Sequence, residues 1–252
     1  MNKSNTLTIL VQIISSLFCL IFIPFFKIKY PTDIKVYIFL FLAIIFYTLN
    51  DRLGTVSRSK IDASIYIIIK QLSTVFMILF GIIFLKEKVL INKIIGSSLI
   101  ILSNIFVLYK KEKLNKYIIL GILANIFLAL ALIIDVNYSS GFNLAIYVLI
   151  IMIGPAMLIF LFERVKLKDI ILEYKTSNKV SLYLTSFSWV IMMISKLKAY
   201  NLGIVSIVAP ISSLSVILTI IVGYLFFNEK NNLIKKIIAG VFIIVGIILI
   251  KL

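Results

Sequence analysis

The chain has 252 residues, of which 62% are apolar and 14% charged, with a formal net charge of +16 and a mean hydropathy of +1.16. A soluble domain is roughly 45–50% apolar and about 25% charged, so this composition excludes a water-solvated globule and points to lipid as the solvent. The basic residues stand in short clusters between apolar runs, as in Lys110-Lys111-Glu112-Lys113 and Arg164-Val165-Lys166-Leu167-Lys168, which is how membrane topology is signalled; nucleic-acid binding needs one continuous basic face and is excluded.

Catalytic chemistry is equally poorly served. Histidine is absent, which removes the commonest general base and metal ligand. Cys19 is the single cysteine and cannot form an intrachain disulfide. No paired carboxylates, P-loop, GxGxxG or GxSxG pattern occurs. The chain is therefore expected to be neither an enzyme nor the carrier of a cofactor or metal.

A helix needs about 20 mostly apolar residues to cross the hydrocarbon core. In chain order, such runs cover Thr6–Phe26, Lys35–Asn50, Ile61–Leu85, Lys93–Tyr109, Lys116–Val136, Phe142–Phe162, Val180–Ala199, Ile204–Phe227 and Lys236–Ile250. The second is short and is expected to extend into Asp51–Val56. All must be helical, because an open strand in lipid leaves its backbone groups unpaired. The first run lacks a small-residue cleavage pattern and reads as an uncleaved span. The longest linker, Glu163–Lys179, reads as a surface amphipathic turn.

The chain also matches itself. Ile61–Lys88 set against Gly203–Lys230, an offset of 142 (230 minus 88), aligns Ser64, Ile65, Ile69, Leu72, Ser73, Ile78, Gly81, Phe84, Glu87 and Lys88 with Ser206, Ile207, Ile211, Leu214, Ser215, Ile220, Gly223, Phe226, Glu229 and Lys230. Apolar matches between membrane helices are cheap. The shared Gly-x-x-Phe-x-x-Glu-Lys is not, and it indicates a duplication.

Phe84-Leu85-Lys86-Glu87 followed by Ile95-Gly96-Ser97-Ser98-Leu99-Ile100, and Phe226-Phe227-Asn228-Glu229 followed by Ala239-Gly240-Val241-Phe242-Ile243-Ile244-Val245-Gly246, resemble the drug/metabolite transporter superfamily, in particular its EamA-type members. Ile204-Val205-Ser206-Ile207-Val208-Ala209-Pro210 resembles the start of that family's penultimate helix. The resemblance implies an all-α polytopic membrane protein of two inverted repeats. Here these would be residues 1–115 with four helices and 116–252 with five, nine transmembrane helices in all, so that the first of the usual ten is expected to be missing. Loop charges favour a cytoplasmic N-terminus, whereas the family pattern implies a cytoplasmic C-terminus.

Lys70 stands near the middle of Ile61–Leu85, too deep for easy snorkelling, and a Lys at the bilayer centre costs roughly 2.5–3.5 kcal/mol on insertion scales. Tyr66, Ser73 and Thr74 lie at i−4, i+3 and i+4 on its face, and Gln71 is adjacent. Either these line a substrate cavity, or Lys70 tilts to its interface or pairs with a carboxylate such as Asp135 or Asp51. The repeat maps Lys70, Gln71 and Ser73 onto Ser212, Ser213 and Ser215. Pseudo-symmetric helices of inverted-repeat transporters meet near the midplane, which makes Ser212 and Ser215 cavity candidates, with close helix packing as the alternative. Pro210, which frees a backbone carbonyl, and Trp189, deep in its span, complete the candidate lining. Asp135 reads either as a coupling or pairing carboxylate or as an interfacial end-charge. Glu87 and Glu229 read as local caps or pairs.

The expected function is secondary transport of a small metabolite or drug-like compound, by alternating access between the repeats, in the plasma or inner membrane. Expected partners are the lipid bilayer and a small-molecule substrate, with a homodimer left open. The rival reading is a non-transporting membrane component, such as a lipid-carrier flippase subunit or a remnant of a ten-helix transporter.

Overall fold

The computed structural model describes residues 2–61, 63–87, 91–108 and 115–212, with single residues and short stretches between 218 and 249. Its α-helices are α1 (Asn2–Phe22), α2 (Ile34–Arg58), α3 (Ala63–Phe84), α4 (Ile91–Leu108), α5 (Lys116–Tyr138), α6 (Leu144–Phe162), α7 (Leu167–Thr176), α8 (Lys179–Leu202) and α9 (Val205–Ser212). Among the described residues there is no strand. Among the described residues, five segments are long and apolar enough to cross a bilayer: Asn5–Phe25, Ile34–Arg58, Lys116–Gly141, Leu144–Phe162 and Lys179–Leu202. Shorter apolar helical stretches, Leu72–Phe84 and Ile94–Ser103, lie within α3 and α4. The protein is an all-α, polytopic membrane protein. Of the last expected span, Lys236–Ile250, single residues and short stretches are described, all helical, and most of Ile204–Phe227 falls outside the described residues.

The helix boundaries follow from capping chemistry. Asp33, Asn115, Asn143 and Asn178 each accept hydrogen bonds from first-turn amides of the helix that follows, which satisfies donors that a bilayer cannot. Asn143 does more. Fully buried, it caps α6 through its Oδ1 and donates its Nδ2 to the carbonyls of Ile23 and Phe26, so one side chain ties the turn after α1 to the start of α6. The linker after α6 is more ordered than a turn. Its ten-residue helix α7 anchors through buried Ile170 against α1, α6 and α8.

The helix α5 lies at the centre, packed against α2 and α3, while α1 packs against α6 and α8 and α2 against α6. Glycines permit the tightest approaches. A Cβ at Gly154 of α6 would stand 2.8 Å from the Ile44 side chain of α2. A Cβ at Gly246 would stand 2.7 Å from the Gly96 carbonyl oxygen of α4, so a motif glycine of the second half sits against a motif glycine of the first. Large apolar side chains such as Leu17, Leu20, Phe41, Leu161 and Leu184 point outward, where lipid replaces water as their neighbour.

Candidate functional site

The turn after α3 caps the start of α9. Lys86, with φ 53°, adopts the left-handed conformation that ends α3, and the Glu87 amide closes on the Gly81 carbonyl. The turn aims the Glu87 carboxylate at the first residues of α9, where Oε1 accepts from the Val205 amide at 2.6 Å and Oε2 from the Ser206 amide at 3.0 Å. An anion on the positive end of a helix is favourable. This corrects the reading of Glu87 as a local cap, since the bonds cross 118 residues of sequence. Gly81 makes room for it: a Cβ there would meet Glu87 Oε2 at 3.3 Å. Two members of the repeated motif thus have a physical reason. Glu229 lies outside the described residues.

Behind this cap, polar groups are collected between α2, α3, α5, α8 and α9. Asp135 of α5 is wholly buried, one turn before the helix end, which corrects its reading as an interfacial end-charge. The Tyr147 hydroxyl donates to its Oδ1 at 2.7 Å and the Tyr47 hydroxyl to its Oδ2 at 2.5 Å. Tyr147 comes from the first turn of α6, held by the Asn143 cap, and Tyr47 from the buried face of α2. Both carboxylate oxygens therefore have a donor in a setting where an unpaired one is costly.

Lys196 of α8 lies six residues before the helix end, about 9 Å inside it. Partly buried, its ammonium stands 5.8 Å from the centre of the Tyr200 ring and within electrostatic range of Asp135 and Lys70. Trp189, Lys196 and Tyr200, at i, i+7 and i+11, share one face of α8. Tyr200 is hydrogen-bonded to Ser212 of α9, and the Ser212 hydroxyl donates to the Val208 carbonyl at 2.9 Å.

Lys70 projects from α3 about 10 Å from its start and is within electrostatic range of Arg58 as well as Lys196. The helices α3 and α8 each lie against α5 and α9, and are not packed on one another. Lys70 is exposed, whereas Lys196 is partly buried. Neither proposed carboxylate partner pairs with Lys70. Asp135 is held by the tyrosines, and Asp51 accepts from Gln12 Nε2 at 2.6 Å and Asn50 Nδ2 at 3.1 Å. Among the described residues the ion pair is Arg52–Glu163, from the C-terminal third of α2 to the C-cap of α6.

The other candidates divide. Ser73 donates to the Lys70 carbonyl at 2.7 Å, serving the backbone. Thr74 is buried on the same face. Tyr66 turns toward α2, its hydroxyl 2.9 Å from where a Gly54 Cβ would stand and its ring beneath the Arg58 guanidinium. Pro210 is buried within α9, and Trp189 is 42% exposed. Ser215 and the Gln71 side chain lie outside the described residues. Sequence reasoning missed Tyr47, Tyr147, Tyr200 and above all Lys196. Its signal was present in Lys196-Leu197-Lys198: residues two apart on a helix point in nearly opposite directions, so the two lysines cannot both be end-charges facing water.

Residues 3–109 match a family model described as the EamA-like transporter family. No curated protein matches. A solved structure, described only as a crystal structure of a protein, superposes with a TM-score of 0.69 at 13% identity, covering 99% of this chain and 89% of that chain; at that identity the likeness concerns the fold alone.

Proposed function

From the match of residues 3–109 to the EamA-like transporter family, we propose that this integral membrane protein is a secondary carrier of a small metabolite or drug-like compound, of the drug/metabolite transporter superfamily. Its two halves, residues 1–115 and 116–252, are read as inverted units that rock against each other and open the space between them to either side in turn. The cell membrane is the proposed location.

The observation that carries the reading is the polar cluster enclosed by apolar helices. Ionisable groups inside membrane helices are costly and are kept where they bind or move something. Asp135 of α5 is wholly buried and Lys196 of α8 partly buried within its electrostatic range. A purely structural bundle would gain stability by replacing them with apolar residues.

Uptake into vesicles reconstituted with the full chain, measured with a panel of labelled metabolites covering acids, amines and neutral compounds, tests the proposal. Saturable accumulation above protein-free vesicles by at least one compound supports it. Uptake equal to protein-free vesicles across the panel would favour a non-transporting membrane component.

A further inference from the structure

The two tyrosines around Asp135 decide what a proton does there. Each carboxylate oxygen accepts one hydroxyl, Oδ1 from Tyr147 at 2.7 Å and Oδ2 from Tyr47 at 2.5 Å. Among the described residues no cation is close enough to pair with Asp135. The pattern is complete for an ionised carboxylate, which only accepts; a protonated one brings a donor that needs an acceptor of its own. The oxygens at hand belong to hydroxyls that are already donating, and Asp135 is the acceptor of Tyr47 among the described residues. Protonation therefore costs one of the two ties. Which one yields follows from the chain. The five residues 139–143 join α5 to α6, Ser139 and Asn143 are buried within them, and Asn143 is fixed to the carbonyls of Ile23 and Phe26. Asp135 and Tyr147 thus stay together, whereas Tyr47 comes from α2, which no short turn joins to α5. The other ionisable groups of the packed helices are placed differently. Lys196 of α8 acts on Asp135 and Tyr200 of α8 on Tyr47. Tyr66 and Lys70 of α3 lie within range of Arg58, and Asp51 of α2 is held by Gln12 and Asn50. Asp135 lies about 5 Å, one turn, from the end of α5. The turn beyond it is polar: Ser139 donates to Asn201 Oδ1 at 3.1 Å, and Asn201 is partly exposed.

We propose that Asp135 takes up the carrier's coupling proton, and that the same proton unties Tyr47 and so frees α2 from α5. The proposal rests on the carrier reading above and names its coupling ion. A proton from water becomes the O–H of Asp135 on Oδ2, the carboxylate charge is lost and the Tyr47 bond breaks. Tyr147 keeps its bond to Oδ1, now the carbonyl oxygen. Release of the proton to water restores both the anion and the tie. Because the carrier reading assigns α2 to one unit and α5 to the other, the tie that opens is one between units that must move past each other, and a buried carboxylate in a membrane helix is where a proton path is expected.

The test uses the full chain in sealed vesicles and the compound of the metabolite panel with the largest saturable uptake. A pH gradient of one polarity should raise its accumulation severalfold, and a protonophore should abolish the rise. Asp135→Asn should lose the rise while still exchanging labelled for unlabelled compound at equal pH, which shows that the variant is folded and binds. Asp51→Asn should keep the rise, and Tyr47→Phe should weaken it more than it weakens exchange. Accumulation indifferent to a pH gradient of either polarity, or Asp135→Asn accumulating like the wild type, would overturn the proposal and leave the carrier standing. Gradient-driven accumulation by Tyr47→Phe equal to that of the wild type would overturn the release of α2. Uptake of no compound defeats the carrier reading, and the proton site is then decided in the purified chain by infrared spectroscopy. The neutral-carboxyl band that Asp135→Asn removes should appear reversibly on acidification of the folded chain. An Asp135 that stays ionised until the chain unfolds would overturn the site by itself.

Discussion

Lys196 and Asp135 share the interior of the bundle without meeting: the carboxylate spends both oxygens on Tyr47 and Tyr147, and the ammonium is left within its field. A direct ion pair would neutralise both groups and leave little for a solute to displace. The separation is maintained by two hydroxyls from two other helices, and it is open to test.

Tyr47→Phe and Tyr147→Phe each leave one buried carboxylate oxygen without a donor. Each should lower stability by about 1–3 kcal/mol, read from the melting midpoint in detergent. Because both act on one carboxylate, the double variant should depart from the sum of the singles. Both should also weaken transport, since a freed Asp135 can pair with Lys196. Additive effects with unchanged transport would show that the tyrosines do not govern that separation.

The Glu87 cap joins the turn after α3 to the start of α9 through hydrogen bonds to Val205 and Ser206. Glu87→Ala should cost about 0.5–2 kcal/mol, and Glu87→Gln less, because an amide oxygen still accepts. Gly81→Ala should destabilise too, by crowding Glu87 Oε2. Thermal unfolding of the three variants checks the order, and a Glu87→Ala protein as stable as the wild type would remove the cap from the account.

Close packing of α2 on α6 depends on Gly154, whose added Cβ would meet three atoms of Ile44 within 2.9 Å. Gly154→Ala should destabilise by about 1–3 kcal/mol through overpacking. Ile44→Val, which trims the opposing side chain, should recover part of that loss in the double variant. A double variant less stable than either single one would contradict the packing described.

Lys70→Ala should abolish or redirect transport while leaving the protein inserted and folded, and Lys70→Arg should keep part of it if charge alone matters. The measurement is uptake into vesicles, with protein content and orientation matched. Equal transport by wild type and Lys70→Ala would return Lys70 to a structural role.

Much of this was legible in the sequence. Apolar runs of sufficient length located the helices, because lipid leaves the backbone no alternative. The extension of α2 past Asn50 was expected, and α3 and α9 begin at Ala63 and Val205, 142 residues apart, the offset at which the sequence matches itself. The candidate site was less legible. Lys70 stood out because it interrupts the middle of a run, whereas Lys196 lay close enough to a span end to pass for an interfacial charge. Asp135 stayed between two readings for the same reason. Depth along one helix can be counted from sequence, but burial there depends on which neighbours extend further, and the turn after α5 folds Ser139 and Asn143 inward with it. The tyrosines carry no signal of their own, since Tyr is common in membrane helices and only the meeting of α2, α5 and α6 brings two hydroxyls to one carboxylate. Glu87 was recognised as a repeated mark, but its target is 118 residues away, a distance no local pattern spans.

The most direct measurement concerns water access at the exposed end of α9. Ser212 is exposed at the end of the described part of that helix and is paired with Tyr200. With the buried Cys19 changed to Ala, a Ser212→Cys variant in sealed vesicles should react with a membrane-impermeant thiol reagent added to either side, and more slowly when a transported solute is present. Reaction from both sides is what a carrier with a central, alternately opened site predicts. A Ser212→Cys thiol that stays unmodified from both sides, in protein that is folded and reacts once denatured, would contradict the account.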